Sequence, residues 1–294
     1  MRWDQFRRSD NIEDTRGQGG LPGGAGGLGI GTIVVLGLIG WALGIDPRVL
    51  IQGAEDFSQG QNSQYEQQGP VRTGTPEDRV GQFVAAILGD TEDRWTDIFA
   101  REGRTYRAPK LRLFSGSAGS ACGLARSAMG PFYCPRDQHV YLDTSFFTDL
   151  QTRFHGCSAK QCEFAEAYVI AHEVGHHVQN LLGILPKVTE AQRALDRPAA
   201  NHLQVKVELQ ADCLAGIWAH HSDEKWNSVE PGDVEAALRT AAAIGDDRLQ
   251  RQAQGYVVPD SFTHGSSAQR TRWLSNGLKS GELSSCDTFG AAQL

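Results

Sequence analysis

The chain gathers no cluster of lysine and arginine, and it carries no charged residue at all between Arg16 and Asp46. With a net charge of −7 over 294 residues, the first absence removes the basic footprint of a nucleic-acid-binding protein, so no nucleic-acid partner is expected. No glycine-rich phosphate loop links a strand to a helix, because the glycines near residue 20 precede an apolar run instead. No G-x-S-x-G elbow occurs, which removes the main serine-hydrolase alternative. None of the six cysteines has the C-x-x-C spacing of a zinc-binding pair, and internal repeats are missing as well.

The charge-free stretch has a reading of its own. Residues 28–45 form an apolar run of about the length that crosses a bilayer. It starts late and lacks a clear A-x-A-like cleavage site, so it reads as a retained transmembrane helix and not as a signal peptide. Arg2, Arg7, Arg8 and Arg16 precede it and only Arg48 follows closely, which by the positive-inside rule puts the N-terminus in the cytoplasm. The expected organisation is a cytoplasmic segment 1–27, a membrane span 28–45, a flexible Gln/Gly/Ser-rich tether 46–76 and a catalytic domain 77–294 outside the cytoplasm. The chain is then a single-pass cell-membrane protein with a periplasmic or extracytoplasmic domain. Gly40 and Gly44 make a G-x-x-x-G match that could support a weak helix-mediated dimer.

What is present is chemically pointed. His172-Glu173-Val174-Gly175-His176 lies inside an apolar-periodic stretch that begins with a capping-box pattern at Ser158-Ala159-Lys160-Gln161 and stops at Leu182-Gly183, with Pro186 beyond. On a helix, His172 and His176 share a face and can reach one Zn²⁺, and Glu173 beside them can take a proton from the attacking water. Gly175 costs helix stability, about 1 kcal/mol relative to Ala, so something should approach the backbone closely there. His177 points about 140° away from His172 and reads as a supporting or solvent-facing residue.

A hydrolytic zinc site needs three protein ligands and one open position. The third is sought on the next helical stretch, Asn201 to about His221, where Glu208 and Asp212 share a face. Glu208 would complete a His₂Glu set, and Asp212 would accept the Nδ1–H of His172 and orient the ring. Ala211, Ala215 and Gly216 would let this helix pack near the first. Further on, Thr263-His264-Gly265-Ser266-Ser267-Ala268-Gln269-Arg270 offers His264 to stabilise an oxyanion and Arg270 as an ion-pair or substrate-positioning partner. A helix start capped by Ser266 or Ser267 is the alternative for that segment.

HEVGHH, VELQADCLAG, HGSSAQR and the opening Met1-Arg2-Trp3, with Ser9-Asp10-Asn11, Glu13-Asp14 and Arg16-Gly17, together resemble the bacterial neutral zinc metallopeptidase family over nearly the whole chain. The resemblance implies a zincin-like fold and a gluzincin-type site, with His172, His176 and Glu208 on zinc and Glu173 as catalytic base. The E-x-x-A-D form is also similar to the HtpX and CAAX-prenyl-protease group, in which a later histidine matches the role given to His264. It further implies that a strand ahead of the HExxH helix binds extended substrate by main-chain pairing.

The remaining chain reads as a frame for that site. A helical pattern from Pro76 to Phe99 leads into short alternating segments near Lys110–Ser115, Pro131–Cys134 and His139–Asp143, a small antiparallel sheet with a turn at Pro135–Gln138. The fold class is α+β, mainly helical. An oxidising compartment would permit disulfides, and the preferred pairs among those formally open are Cys122–Cys134, Cys157–Cys162 and Cys213–Cys286, with buried thiols as the alternative. The expected function is a membrane-tethered endopeptidase with one zinc per chain, acting on extracytoplasmic polypeptides. A zinc-stabilised anchored scaffold that has lost turnover is the second reading.

Overall fold

Trp3, Phe6 and Ile12, apolar residues scattered among the arginines of the N-terminus, are all buried. They share a core with residues from 83 onward: in a computed structural model describing residues 1–17, 71–157 and 162–294, residues 1–16 and 71–294 form one unit. Ile12–Asp14 (β1) pairs antiparallel with Arg72–Thr73 (β2) and parallel with Lys110–Phe114 (β3), Ile12 lying opposite Leu111. Trp3 meets Phe83 edge-on at 5.4 Å, and the Ser9 backbone N–H donates to the Ala85 carbonyl at 2.9 Å.

This docking corrects the expected topology. The span 28–45 lies outside the described residues, but its two flanks are hydrogen-bonded in one sheet. Such flanks cannot stand on opposite faces of a bilayer, so the single-pass arrangement with a cytoplasmic N-terminus and an external domain does not hold. Among the described residues, no helix is long and apolar enough to cross a membrane. The arginines that suggested an orientation serve the fold instead. Arg7 pairs with Glu92 at 2.6 Å and Asp93 at 2.9 Å, Arg16 with Asp14 at 2.9 Å, and Arg2 reaches Glu230 at 3.9 Å. Arg8 lies over the Trp3 ring, 5.1 Å from its centroid.

The main sheet is also different from the expected one. Among the described residues it has five strands in the order β2-β1-β3-β7-β6, where β6 is Phe132–Cys134 and β7 is His139–Asp143. β3 and β7 run parallel and β6 and β7 antiparallel, so the sheet is mixed. Alternation located these strands, yet it carries no direction. A parallel return needs a long connection, and here the connection holds a hairpin of Ser117–Ser120 (β4) and Gly123–Arg126 (β5), followed by β6. The two-residue period sorts the faces: Leu111, Leu113, Val140 and Leu142 enter the main core, whereas Phe114 and Tyr141 join a smaller one under the hairpin.

Helices fill the other side. Arg79–Arg101 (α1) begins at Asp78, whose carboxylate accepts from the Gly81 N–H. After Ser145–Thr152 (α2) comes Cys162–Leu181 (α3), which carries HEVGH; the capping box at Ser158–Gln161 lies outside the described residues. Gly183, at φ +74°, turns the chain into Ile184–Gln192 (α4). Arg197–Trp226 (α5) is longer than the pattern from Asn201 suggested, because Asp196 caps it and Pro198 fits its first turn. Asp233–Ala243 (α6), Asp246–Gln254 (α7) and Ser267–Ser280 (α8) complete the chain, α8 starting with a capping box of Ser266 and Gln269. Cys122 is bonded to Cys134, Cys157 to Cys162, and Cys213 of α5 to Cys286 in the tail.

Candidate metal centre

The HEVGH spacing places His172 and His176 one turn apart on α3, their ring centroids 4.8 Å apart and nearly perpendicular. Helix α5 crosses beside them because neither helix has bulk at the contact. A Cβ on Gly175 would stand 3.0 Å from the Ala211 carbonyl oxygen and 3.2 Å from its Cα, tighter than side chains ordinarily tolerate. The close approach inferred from Gly175 is thus the backbone of α5 itself. It brings Glu208 over the two rings.

Glu208 Oε2 lies 3.3 Å from His172 Nε2 and 3.5 Å from His176 Nε2. Donors about 2.0–2.1 Å from a tetrahedrally coordinated zinc stand roughly 3.3 Å apart, so Glu208 Oε2 has ligand spacing from each ring, and the three donors all lie within 4.8 Å of one another. The electrostatics agree. Burial alone would lower His172, but the Asp212 and Glu208 carboxylates outweigh it and raise the ring to about 10. His176 is raised against burial by Glu208, and Glu208, which burial would push up, is held well below the usual carboxylate range by the two histidines. The set favours a positive centre.

Behind each ring stands a partner that fixes its hydrogen on Nδ1 and turns Nε2 inward as an acceptor. His172 Nδ1 donates to Asp212 Oδ1 at 2.9 Å. That carboxylate also accepts from the Tyr168 hydroxyl at 2.6 Å and from Arg270 through Nε and Nη2, each at 2.8 Å. Arg270 is buried and also donates to the Ile244 carbonyl at 3.4 Å. These neighbours hold Asp212 far below the ordinary carboxylate range although burial opposes it. His176 Nδ1 donates to Gln179 Oε1 at 2.9 Å. Gln179 in turn donates to the Val207 carbonyl and to Gln210, and Gln210 to the Cys286 carbonyl. Sequence reasoning missed Tyr168, Gln179 and Gln210. Tyr168 and Gln179 stand one turn from His172 and His176 respectively, a spacing that could have pointed to them.

Glu173 is buried, takes part in neither relay and lines the same cavity as the three donors. The cavity measures about 770 Å³, and His264, Arg270, Phe132 of the edge strand β6 and the apolar side chains of Met129, Phe146 and Phe154 also line it. His264 sits at its exposed rim. Asp246 Oδ2 accepts the backbone N–H groups of Thr263, His264 and Gly265, and Oδ1 lies 3.2 Å from His264 Nδ1. The hydrogen bond to Asp246 raises the His264 pKa. Asp246 was not foreseen either.

His177 is not solvent-facing. It is fully buried on the far side of α3, donating from Nε2 to the Arg107 carbonyl at 2.6 Å and accepting at Nδ1 from Tyr133 at 2.9 Å, and burial lowers it to about 4.

The sequence profile of the family described as "Putative neutral zinc metallopeptidase" matches residues 1–289. The chain belongs to this metallopeptidase family. Among its relatives, the "Uncharacterized protein YpfJ" of Escherichia coli (strain K12) is 45% identical over 301 aligned residues, covering 99% of both chains. The "Uncharacterized protein Mb2605" of Mycobacterium bovis and "Uncharacterized protein Rv2575" of Mycobacterium tuberculosis are each 44% identical over 233, covering 76% of this chain and 75% of theirs. No solved structure matches. Membership of the metallopeptidase family implies zinc, and His172, His176 and Glu208 fit it by donor type and spacing.

Proposed function

We propose that this chain is a zinc-dependent endopeptidase in which His172, His176 and Glu208 hold one metal ion and Glu173 is the general base. The observation that carries this reading is the Glu208 Oε2 position, 3.3 and 3.5 Å from two ring nitrogens, with the Glu173 carboxylate on the same cavity. When bound, zinc supplies a Lewis acid that polarises the scissile carbonyl and acidifies the attacking water.

The rest is done by side chains. Glu173 accepts the water's proton and returns it to the departing amine. His264, kept protonated to higher pH by Asp246, donates toward the oxygen that becomes negative at the tetrahedral stage. Arg270 acts through Asp212, because its guanidinium is spent on that carboxylate. Among the described residues strand β6 ends the sheet, and its Phe132 and Tyr133 line the cavity, so an extended polypeptide adds to its outer edge by main-chain pairing.

The reading is tested by metal analysis of the parent and of His176→Ala, followed by digestion of a peptide library. One equivalent of zinc lost in the variant together with cleavage by the parent is the expected result. A zinc stoichiometry in His176→Ala equal to the parent's would remove the site, and zinc without cleavage by the parent would leave a scaffold.

A further inference from the structure

His220, His221 and Glu224, near the C-terminal end of α5, form a second group whose nitrogen and carboxylate donors lie within 4.8 Å of one another. His220 is twelve residues beyond Glu208, roughly 18 Å along a helix, so the group is separate from the centre described above. Each ring is fixed by a backbone carbonyl at the end of α8: His220 Nδ1 is 2.9 Å from the Leu278 oxygen and His221 Nε2 is 2.9 Å from the Gly281 oxygen. A carbonyl only accepts, so those nitrogens carry the hydrogens and the other nitrogen of each neutral ring is an acceptor.

Both free nitrogens face one carboxylate. His220 Nε2 is 3.4 Å from Glu224 Oε1, and His221 Nδ1 is 2.8 Å from Glu224 Oε2. Acceptors that converge this way repel one another unless a positive centre, a proton on the ring or a metal ion, stands among them, and a carbonyl behind each ring is the support that metal-ligating histidines commonly have. The backbone is shaped for it as well. Gly281 is at φ +67°, and a Cβ there would come within 2.4 Å of His220 Cδ2, so the position needs glycine on both counts. Of the cations lining the adjoining cavity, Arg94 is balanced by Asp90 and Asp97. Arg101 Nη2 lies 3.5 Å from His221 Nε2, which meets the Gly281 carbonyl at the shorter 2.9 Å, and Lys225 Nζ lies over the Trp226 ring.

We propose that His220, His221 and Glu224 form a second divalent-cation site on the last turns of α5, suited to an imidazole-preferring ion such as Zn²⁺, with its two rings held by carbonyls at the end of α8. The test is a ZnCl₂ titration of the metal-stripped full chain, followed by calorimetry and by equilibrium dialysis. His172→Ala should keep one binding event, and Glu224→Gln should lose that same event. Glu224 is 61% exposed, so its amide variant should fold, as circular dichroism can check. In the double variant His172→Ala/Glu224→Gln zinc binding should vanish. If Glu224→Gln binds as many equivalents as the parent, or His172→Ala binds none, the cluster is an imidazolium–carboxylate pair and the proposal is wrong. Failure of the His172 site would appear separately, as a His172→Ala titration identical to the parent's.

Discussion

Asp212 Oδ1 lies 2.9 Å from His172 Nδ1 and 2.8 Å from Arg270 Nη2, so one buried carboxylate orients the His172 ring and neutralises a buried guanidinium at once. Asp212→Asn keeps an acceptor but leaves Arg270 without a counter-charge. Breaking such a buried pair costs about 3–5 kcal/mol. Loss of the orienting carboxylate should also weaken zinc binding by roughly 10–100-fold. Thermal melting and chelator competition read the two effects; an unchanged melting temperature and affinity would contradict the double role.

Gln179 holds the other ring. Gln179→Leu removes the acceptor for His176 Nδ1 and strands the donor-hungry Gln210 and Val207 groups, so zinc affinity should fall by about tenfold or more. Gln179→Glu restores an acceptor for His176 while giving up the donor to Val207. It should therefore recover zinc affinity better than it recovers stability. Equal behaviour of the two variants in competition titrations would show that Gln179 merely packs.

Gly175 sets how near α5 can come. Gly175→Val should destabilise the protein by about 1–3 kcal/mol, since backbone atoms of Ala211 cannot yield as a flexible side chain would. It should also move Glu208 away from the histidines and lower zinc stoichiometry. Denaturant unfolding with and without zinc separates the effects, and a variant as stable as the parent that binds as much zinc as the parent would refute the packing argument.

His264 gives a pH signature. The Asp246 hydrogen bond raises its pKa above the ordinary 6.5 in the folded state. The stability and the positive charge it contributes are fully present below 6.5 and are lost as pH rises through the raised folded value. Asp246→Asn should therefore move the alkaline limb of the kcat profile down toward 6.5, and His264→Ala should lower kcat by about 10²–10³ with zinc content unchanged. Profiles that coincide with the parent's would reduce the segment to a loop anchor.

The cluster of His172, His176 and Glu208 was legible because periodicity speaks directly to it: residues four apart share a helix face, and both HEVGH and Glu208-Leu209-Gln210-Ala211-Asp212 obey that rule. Gly175 was legible as an anomaly inside a helix. The Gln179 and Gln210 relay was not, because a glutamine on a helix is usually a surface residue and only the crossing of α3 and α5 puts these two in contact. His177 was misread in part. Its angle away from His172 was right, but the far side of α3 faces Tyr106 and Tyr133, not water. Strand direction escaped because alternation is the same for parallel and antiparallel neighbours. The N-terminal arginines misled most, since a charge that pairs with Glu92 or Asp14 across the fold looks in sequence like a charge awaiting a membrane.

The account stands most directly on the separation of metal holding from proton transfer at Glu173. Glu173→Gln preserves size and leaves His172, His176 and Glu208 in place, but an amide cannot accept the water's proton. Peptide-library cleavage by the zinc-loaded variant, measured beside its metal content, should show the parent's zinc stoichiometry and no detectable hydrolysis where the parent cleaves. Cleavage at the parent's rate by a zinc-loaded Glu173→Gln would contradict the assignment of Glu173 as the base.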